Sequence, residues 1–237
     1  MGRFIDGIIP ERFVEVDAAR LLLILARFAT TIDDNVRILR CFPGYPVVRH
    51  FTPEYHLQKL DFLVRYPGYL AYELVELHRT GDHEANDRAE VISIVRGVLE
   101  NREPDLLTMP FRKFWRGAYE RLDDVEAWWY SRDLIYAQLE ARGQARPQKH
   151  YFVTEQAIAE AQRLVACVSH ARWYAERIEL IHRFLGGLAA GELKALQYSH
   201  PEYREAHLNE TIPDVDVTEL ARNFECVFGE PLGVSVD

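Results

Sequence analysis

Apolar residues recur at helical spacing along most of the chain. The helix predicted over Val14–Ala29 contains the apolar run Leu21–Ala26, which is bounded by Arg20 and Arg27 and is far shorter than the ~20 residues needed to cross a bilayer. The positions Leu57, Leu60, Leu63 and Val64 repeat every three or four residues, after a Thr-Pro-Glu helix start. The same spacing predicts further helices at Tyr69–His78, at Val91–Leu99, from Thr154 onward and at Glu192–Tyr198.

A different pattern marks the middle of the chain. A helix is predicted over Leu122–Tyr136, followed by two short strands, Tyr136–Glu140 and Tyr151–Thr154, which flank a basic tip at residues 141–150. A helix, a hairpin and a second helix in this order are typical of a winged-helix module. The predicted fold is therefore mostly α with a small β-wing. It comprises a helical N-terminal region (1–103), a winged-helix module (104–168), and C-terminal helices with an acidic tail (169–237).

Composition narrows the class of protein. At 237 residues and 48% hydrophobic, the chain can bury a real core. A formal charge of −9 argues against a surface that wraps DNA, so any nucleic-acid contact must be local. Cys41, Cys167 and Cys226 lack the spacing of a disulfide framework or a zinc ribbon. Acidic residues interrupt the N-terminus where a signal peptide would need an apolar run, so we expect a cytoplasmic protein.

The basic tip is the candidate DNA-binding site. Four basic residues lie within nine positions there, namely Arg142, Arg146, Lys149 and His150. They could contact phosphates weakly and without sequence preference, or they could simply keep a hairpin tip soluble. The helix before the hairpin begins with Asp123 and Asp124, which would repel phosphates. The wing, rather than this helix, is therefore the predicted DNA contact.

Two further features are candidate partner-binding sites. Adjacent helical residues point about 100° apart, so of the pair Trp128-Trp129 we expect Trp129 in the core and Trp128 at an interface. Six carboxylates follow near the C-terminus: Glu202, Glu205, Glu210, Asp214, Asp216 and Glu219. Because Ile212-Pro213 disfavours a regular element there, we expect partner binding to order this segment.

The sequence contains no recognisable catalytic motif. It has no G-x-x-x-x-G-K-[ST], no G-x-S-x-G and no G-x-G-x-x-G pattern. His78 and His83 are the best-spaced pair of metal ligands, but Gly81-Asp82 breaks the helix that would align them. We therefore predict no catalytic residue, no cofactor and no metal.

Two stretches carry a resemblance to a known family. Residues 59–67, Lys-Leu-Asp-Phe-Leu-Val-Arg-Tyr-Pro, and the stretch from Gly186-Gly187-Leu188 through Lys194 to His200 flank the predicted module in the expected order. Together they resemble the winged-helix middle components of three-component ABC-ATPase systems, which include Lamassu-type anti-phage defence. Members of that family usually carry Gly-Pro-Trp-Asp where this chain has Phe-Trp-Arg-Gly at 114–117.

The resemblance implies a non-catalytic adaptor that bridges an SMC-like ABC ATPase and an effector, often a nuclease, in a bacterial DNA-sensing complex. A second copy of the chain is a further candidate partner. Two alternatives stay open. One is a free-standing winged-helix DNA-binding regulator, which a basic recognition helix would favour. The other is a hydrolase whose catalytic residues are scattered along the chain.

Overall fold

The computed structural model describes residues 13–32, 46–81, 87–101, 111, 113–114, 117–118, 120–143 and 145–233. Of the residues described, 64% are helical, and a small four-stranded antiparallel sheet accompanies them, so the predicted fold class is confirmed. The helices are α1 (Val14–Phe28), α2 (Glu54–Arg65), α3 (Pro67–Thr80), α4 (Arg88–Glu100), α5 (Asp123–Tyr130), α6 (Glu155–Cys167), α7 (Ser169–Leu185), α8 (Ala190–Ser199), α9 (Pro201–Glu205) and α10 (Val217–Phe228). The strands are β1 (Thr30–Thr31), β2 (Val47–Phe51), β3 (Lys113–Phe114), β4 (Gly117–Ala118), β5 (Ile135–Arg142) and β6 (Ala145–Thr154).

The main sheet joins segments that are distant in sequence. Its strand order is β1-β2-β6-β5, with every neighbouring pair antiparallel, while β3 and β4 form a separate two-stranded ladder. The hairpin predicted from the sequence is β5–β6. Its second strand pairs on the other side with β2, an N-terminal strand, so the hairpin is part of a larger sheet.

Several local predictions are confirmed. Thr154 caps α6, where its side chain accepts a hydrogen bond from the backbone N–H of Ala157. Gly81, after α3, has a φ of +73°, the left-handed conformation that commonly ends a helix. Trp129 is fully buried, and its indole N–H donates to the carbonyl of Ala18, 3.1 Å away.

Two predictions are wrong. The helix expected over 122–136 ends at Tyr130, because the chain turns through Asp133 at a φ of +54° before β5 begins. The acidic segment, for which the sequence disfavours a regular element, contains most of α9 and the start of α10, which Asp216 caps. Beyond α10, Arg96 donates to the backbone carbonyls of Pro231 and Leu232.

The buried hydrophobic residues form one main cluster. It runs from Ala18 on α1 to Leu232 near the C-terminus, and it includes Trp129 and Tyr151 from the middle of the chain. The predicted domain boundaries at 103 and 168 both cut across this cluster. The sheet, α2 and the C-terminal helices are therefore positioned by a shared core.

Candidate functional site

The basic residues predicted at a hairpin tip mostly lie elsewhere. Arg142 pairs with Ala145, so the strands continue to the turn at Gly143, which has a φ of +58°. Lys149 and His150 lie inside β6, opposite Leu139 and Gln138. The ten-residue tip is therefore wrong, because backbone pairing extends through most of it. The side chain of Arg146 lies outside the described residues.

Lys149 is held by two carboxylates. Its Nζ lies 2.7 Å from Oε1 of Glu126 and 3.4 Å from Oε2 of Glu54. Burial alone would lower the pKa of Lys149, but these carboxylates raise it above its usual value. Glu126 also accepts a hydrogen bond from the hydroxyl of Tyr151 at 2.9 Å. Lys149 is therefore charged, and its charge is largely neutralised within the protein.

His150 is buried against a second histidine. The Nε2 atom of His50, on β2, lies 2.8 Å from its Nδ1, and its own Nε2 lies 3.3 Å from Oε2 of Glu140. Burial lowers the pKa of His150. Burial and the neighbouring His150 lower the pKa of His50 to about 4. Both rings are therefore neutral at pH 7, and His150 adds no positive charge to the surface.

Arg142 is the exposed cation of this group. Its Nε lies 3.4 Å from Oε2 of Glu140, in a pair whose side chains are half-exposed. An exposed pair of this kind contributes little stability and exchanges readily with solvent. Arg142 is therefore the predicted DNA-binding residue whose described side chain stays available to an external anion.

Arg142 and Lys149 come together at a cleft of about 410 Å³. The cleft lies between the start of α2, the β5–β6 hairpin and α8. Its lining includes Pro53, Tyr55, Lys59, Leu139, Arg142, Lys149 and Lys194. Two residues of the predicted DNA site thus meet two lysines that sequence reasoning missed.

Lys59 is the most unusual of these groups. It is only 2% exposed, and its Nζ lies 3.2 Å from the hydroxyl of Tyr203. Burial, together with the charge of Lys194, lowers the pKa of Lys59 to about 7. The sequence offers one signal for this site. Lysine is scarce, with four lysines among 28 Lys and Arg residues, and three of the four line the cleft.

The stretch 59–67, which carries the first resemblance, forms buried contacts. Asp61 accepts hydrogen bonds from Arg20, with its Oδ1 2.5 Å from Nε and its Oδ2 3.1 Å from Nη2. The hydroxyl of Tyr66 donates to the carbonyl of Ile212 and accepts from the backbone N–H of Phe111. In the second stretch, His200 lies 2.9 Å from the carboxylate of Glu73. These residues join α1, α2, α3 and the C-terminal segment, and they fix the position of Lys59 on α2.

Trp128 is partly buried against the core. The guanidinium of Arg132 covers its ring, with the carbon Cζ 4.0 Å from the ring centroid. No described residue accepts a hydrogen bond from its buried indole N–H. Trp128 therefore offers a partner a restricted surface.

The acidic segment is ordered against the protein itself, contrary to expectation. Ile212 and Val215 are buried, and Tyr69 donates to the carbonyl of Pro213. Three of the six carboxylates accept backbone hydrogen bonds, since Asp216 caps α10, Glu202 accepts from the N–H of Asp216, and Asp214 accepts from the N–H of Val215. The apolar side chains of Ile212 and Val215, which lie between the acidic residues, pack this segment against the core. The remaining carboxylates are exposed: Glu205, Glu210 and Glu219.

The described residues also bear on metal binding and on membrane insertion. Among the residues that the structure describes, no group of three or more His, Cys, Asp or Glu side chains is arranged to hold a metal ion. No described helix is long and apolar enough to cross a membrane. The chain matches no family model, no curated protein and no solved structure.

Proposed function

We propose that the chain is a non-catalytic adaptor, which binds an SMC-like ABC ATPase and an effector in a bacterial DNA-sensing defence complex. The resemblance of residues 59–67 and 186–200 suggests this class of complex. The structural feature that supports an adaptor best is the outer edge of β5. Along this edge an eight-residue strand leaves its backbone groups available, in the part of the chain that the structure describes.

An edge strand can bind a partner by strand addition. β5 ends the sheet on one side, whereas β1 on the other side has only two residues. Exposed strand edges accept an extended segment of another chain through backbone hydrogen bonds, and neighbouring side chains give specificity. Leu139, near the middle of β5, is 59% exposed and supplies an apolar contact. We propose that an extended segment of the ATPase subunit occupies this edge.

Protein binding fits this surface better than DNA binding does. Lys149 is neutralised by Glu54 and Glu126, and His150 is buried and uncharged at pH 7. DNA affinity depends on cations that are free to replace the counterions of phosphates. Arg142 alone would give weak, salt-sensitive contact, as an accessory to the protein interface.

Co-purification tests the proposal. The tagged chain is co-expressed with a candidate ATPase from the same host, and recovery of the ATPase is measured for Leu139→Asp and for Leu208→Asp. Leu208 is a matched control, because it is also 59% exposed and lies in the C-terminal segment. We expect Leu139→Asp to lower recovery about tenfold, since a carboxylate would be desolvated at the interface, while Leu208→Asp leaves it unchanged.

The acidic surface gives a second test of the same interface class. Gln substitutions at Glu205, Glu210 and Glu219 leave the cap of α10 intact. If these carboxylates attract a basic partner, the triple variant should associate more slowly than the parent at low salt and at the same rate at high salt.

Equal recovery of the ATPase by Leu139→Asp and by the parent would contradict docking on β5. Failure to recover any ATPase, together with tight binding of duplex DNA, would favour a free-standing regulator.

A further inference from the structure

The four lysines of this chain lie around one place, although its arginines are spread throughout. Lys59, Lys149 and Lys194 line the cleft described above. The fourth, Lys113, lies behind it, with its Nζ 5.8 Å from the ring centroid of Tyr203. The Nζ of Lys59 is 5.7 Å from the same centroid. Lysine differs from arginine in presenting a compact ammonium charge whose pKa responds to burial.

The charges of these lysines are unequally balanced. Lys149 is paired with Glu54 and Glu126, and Lys113 donates to the carbonyls of Tyr203 and Arg204, both at 2.7 Å. Among the described residues, no carboxylate lies within 4.0 Å of Lys59 or Lys194. Glu54 lines the same side of the cleft, but among the described residues Lys59 and Lys194 have no carboxylate partner.

Burying an ammonium group without a counter-charge is unfavourable. Lys59 is almost fully buried, and the nearby charge of Lys194 increases the cost of protonating it. An anion in the cleft would offset both effects, because it would attract the two ammonium groups at once. The described contact of the Lys59 amine is the neutral hydroxyl of Tyr203, so a bound anion would supply the counter-charge that this contact does not.

Two other features of the cleft suit an anionic ligand with an organic body. Pro53 and Tyr55, at the start of α2, line the cleft, and so does Glu54, whose carboxylate contacts Lys149. The side chains of Tyr55 and Leu139 are 53% and 59% exposed and give apolar surface beside the cations. The volume, about 410 Å³, is within the usual range of small-molecule sites.

We propose that this cleft binds a small phosphorylated molecule, with Lys59, Lys194 and Arg142 contacting the phosphate and Tyr55 and Leu139 contacting the organic part. This proposal does not depend on the adaptor function, although both surfaces include Leu139, and Lys59 and Lys194 belong to the ligand site alone. Strand addition would use the backbone edge of β5, whereas the ligand would use side chains that point into the cleft.

Calorimetry with AMP, ATP and pyrophosphate, without divalent metal, tests this proposal. We expect at least one of these probes to bind the parent protein. Lys59→Met should weaken its binding about tenfold or more, because a charge-assisted contact to phosphate is lost. Lys194→Gln, at an exposed position on α8, should weaken it severalfold without affecting folding. Arg163→Gln is the control, because Arg163 is an exposed arginine on α6 that does not line the cleft.

A second measurement reports on Lys59 directly. Reductive methylation with labelled formaldehyde gives few lysine signals, so each can be titrated by NMR. The groups around the Lys59 amine are Lys194, Lys113 and Tyr203, with Glu54 at the start of the same helix and with Arg142 and Lys149 on the β5–β6 hairpin. We expect the signal lost in Lys59→Met to titrate near neutral pH and to shift to higher pH when phosphate binds. The proposal is overturned if no probe binds, if Lys59→Met and Lys194→Gln bind like the parent, or if duplex DNA binds and the small phosphates do not.

Discussion

The Nε2 atom of His50 lies 2.8 Å from the Nδ1 atom of His150, and the two imidazole rings stack with their centroids 5.1 Å apart. One ring nitrogen must donate and the other accept, so the contact requires at least one neutral ring. Phe152 packs against both rings, and Glu140 and Arg142 are the charged groups that face His150. Protonation of both rings would place two like charges in contact inside the sheet.

Stability should therefore decrease in mild acid. The folded-state pKa of His50, about 4, lies below the unfolded value of about 6.5. The contribution of the pair is complete above pH 6.5 and is lost as the pH falls from 6.5 to 4, where the unfolded chain binds more protons. Unfolding in urea, followed from pH 7.5 to pH 4.5, measures this loss.

The variant His50→Gln isolates the contribution of this pair. Between pH 7.5 and pH 4.5 its free energy of unfolding should fall less than that of the parent. We expect the difference to be about 1–2 kcal/mol at pH 4.5, after allowance for the partial exposure of His50. His56 and His182, whose pKa values are also lowered by burial, give both proteins a common background. His170→Gln, at an exposed position, should decline like the parent. Parallel profiles for His50→Gln and the parent would show that the contact does not respond to pH.

The buried ion pair between Arg20 and Asp61 should be indispensable. Both side chains are almost fully buried, and Arg65 lies 3.5 Å from the same carboxylate. Asp61→Asn leaves two buried guanidinium groups with less compensation, so we expect a loss of about 3–5 kcal/mol in the free energy of unfolding. Glu160→Gln, which breaks the exposed pair with Arg163, should cost at most about 0.5 kcal/mol. A loss below about 1 kcal/mol for Asp61→Asn would contradict this assignment.

The adjacent tryptophans should respond differently to the same substitution. Trp129→Phe removes a fully buried indole together with its hydrogen bond to the carbonyl of Ala18, which should cost about 2–3 kcal/mol. Trp128→Phe removes an indole N–H for which no described residue is an acceptor, and it keeps an aromatic ring beneath Arg132. Its cost should stay within about 1 kcal/mol. Thermal unfolding of the two variants measures both losses of stability. Equal losses would contradict the different roles assigned to Trp128 and Trp129.

Lys149 and Arg142, the two basic residues of the hairpin, should contribute unequally to stability. Lys149→Met removes the ammonium group that contacts both Glu54 and Glu126, so we expect a loss of about 1–3 kcal/mol in the free energy of unfolding. Arg142→Met, in a half-exposed pair with Glu140, should change stability by less than about 0.5 kcal/mol. Urea denaturation measures both. The opposite order would mean that Lys149 is not the structural cation that its distances indicate.

Helical spacing predicted most of the helices in this protein, because one face of each is buried. It failed where tertiary pairing decides the structure. The strand Val47–Phe51 was missed because it follows a Pro-rich break, and its partner strand lies far along the sequence. The helix Val217–Phe228 could have been found from Leu220, Phe224 and Phe228, which repeat every four residues. The carboxylates before this repeat, together with Ile212-Pro213, instead favour an irregular acidic segment.

The candidate site was harder to predict than the fold. Charge clustering identified Arg142 and Lys149, but sequence alone could not show that Glu126 and Glu54 neutralise one of them. Lys59 lies within an apolar helical run, where its burial depends on Tyr203, which is distant in sequence. The sequence shows only that lysine is scarce. The structure shows that three of the four lysines line one cleft.

The pairing of β2 with β6 has a consequence for how the protein is made. Arg49 and Val153 are register partners although they lie about 100 residues apart in the chain. Contacts at such separation slow folding, because a long loop must be closed before they form. During synthesis the strand Val47–Phe51 leaves the ribosome well before its partner exists. This strand therefore cannot pair with β6 until about 100 further residues have been translated, and until then its edge is open to pairing with other strands.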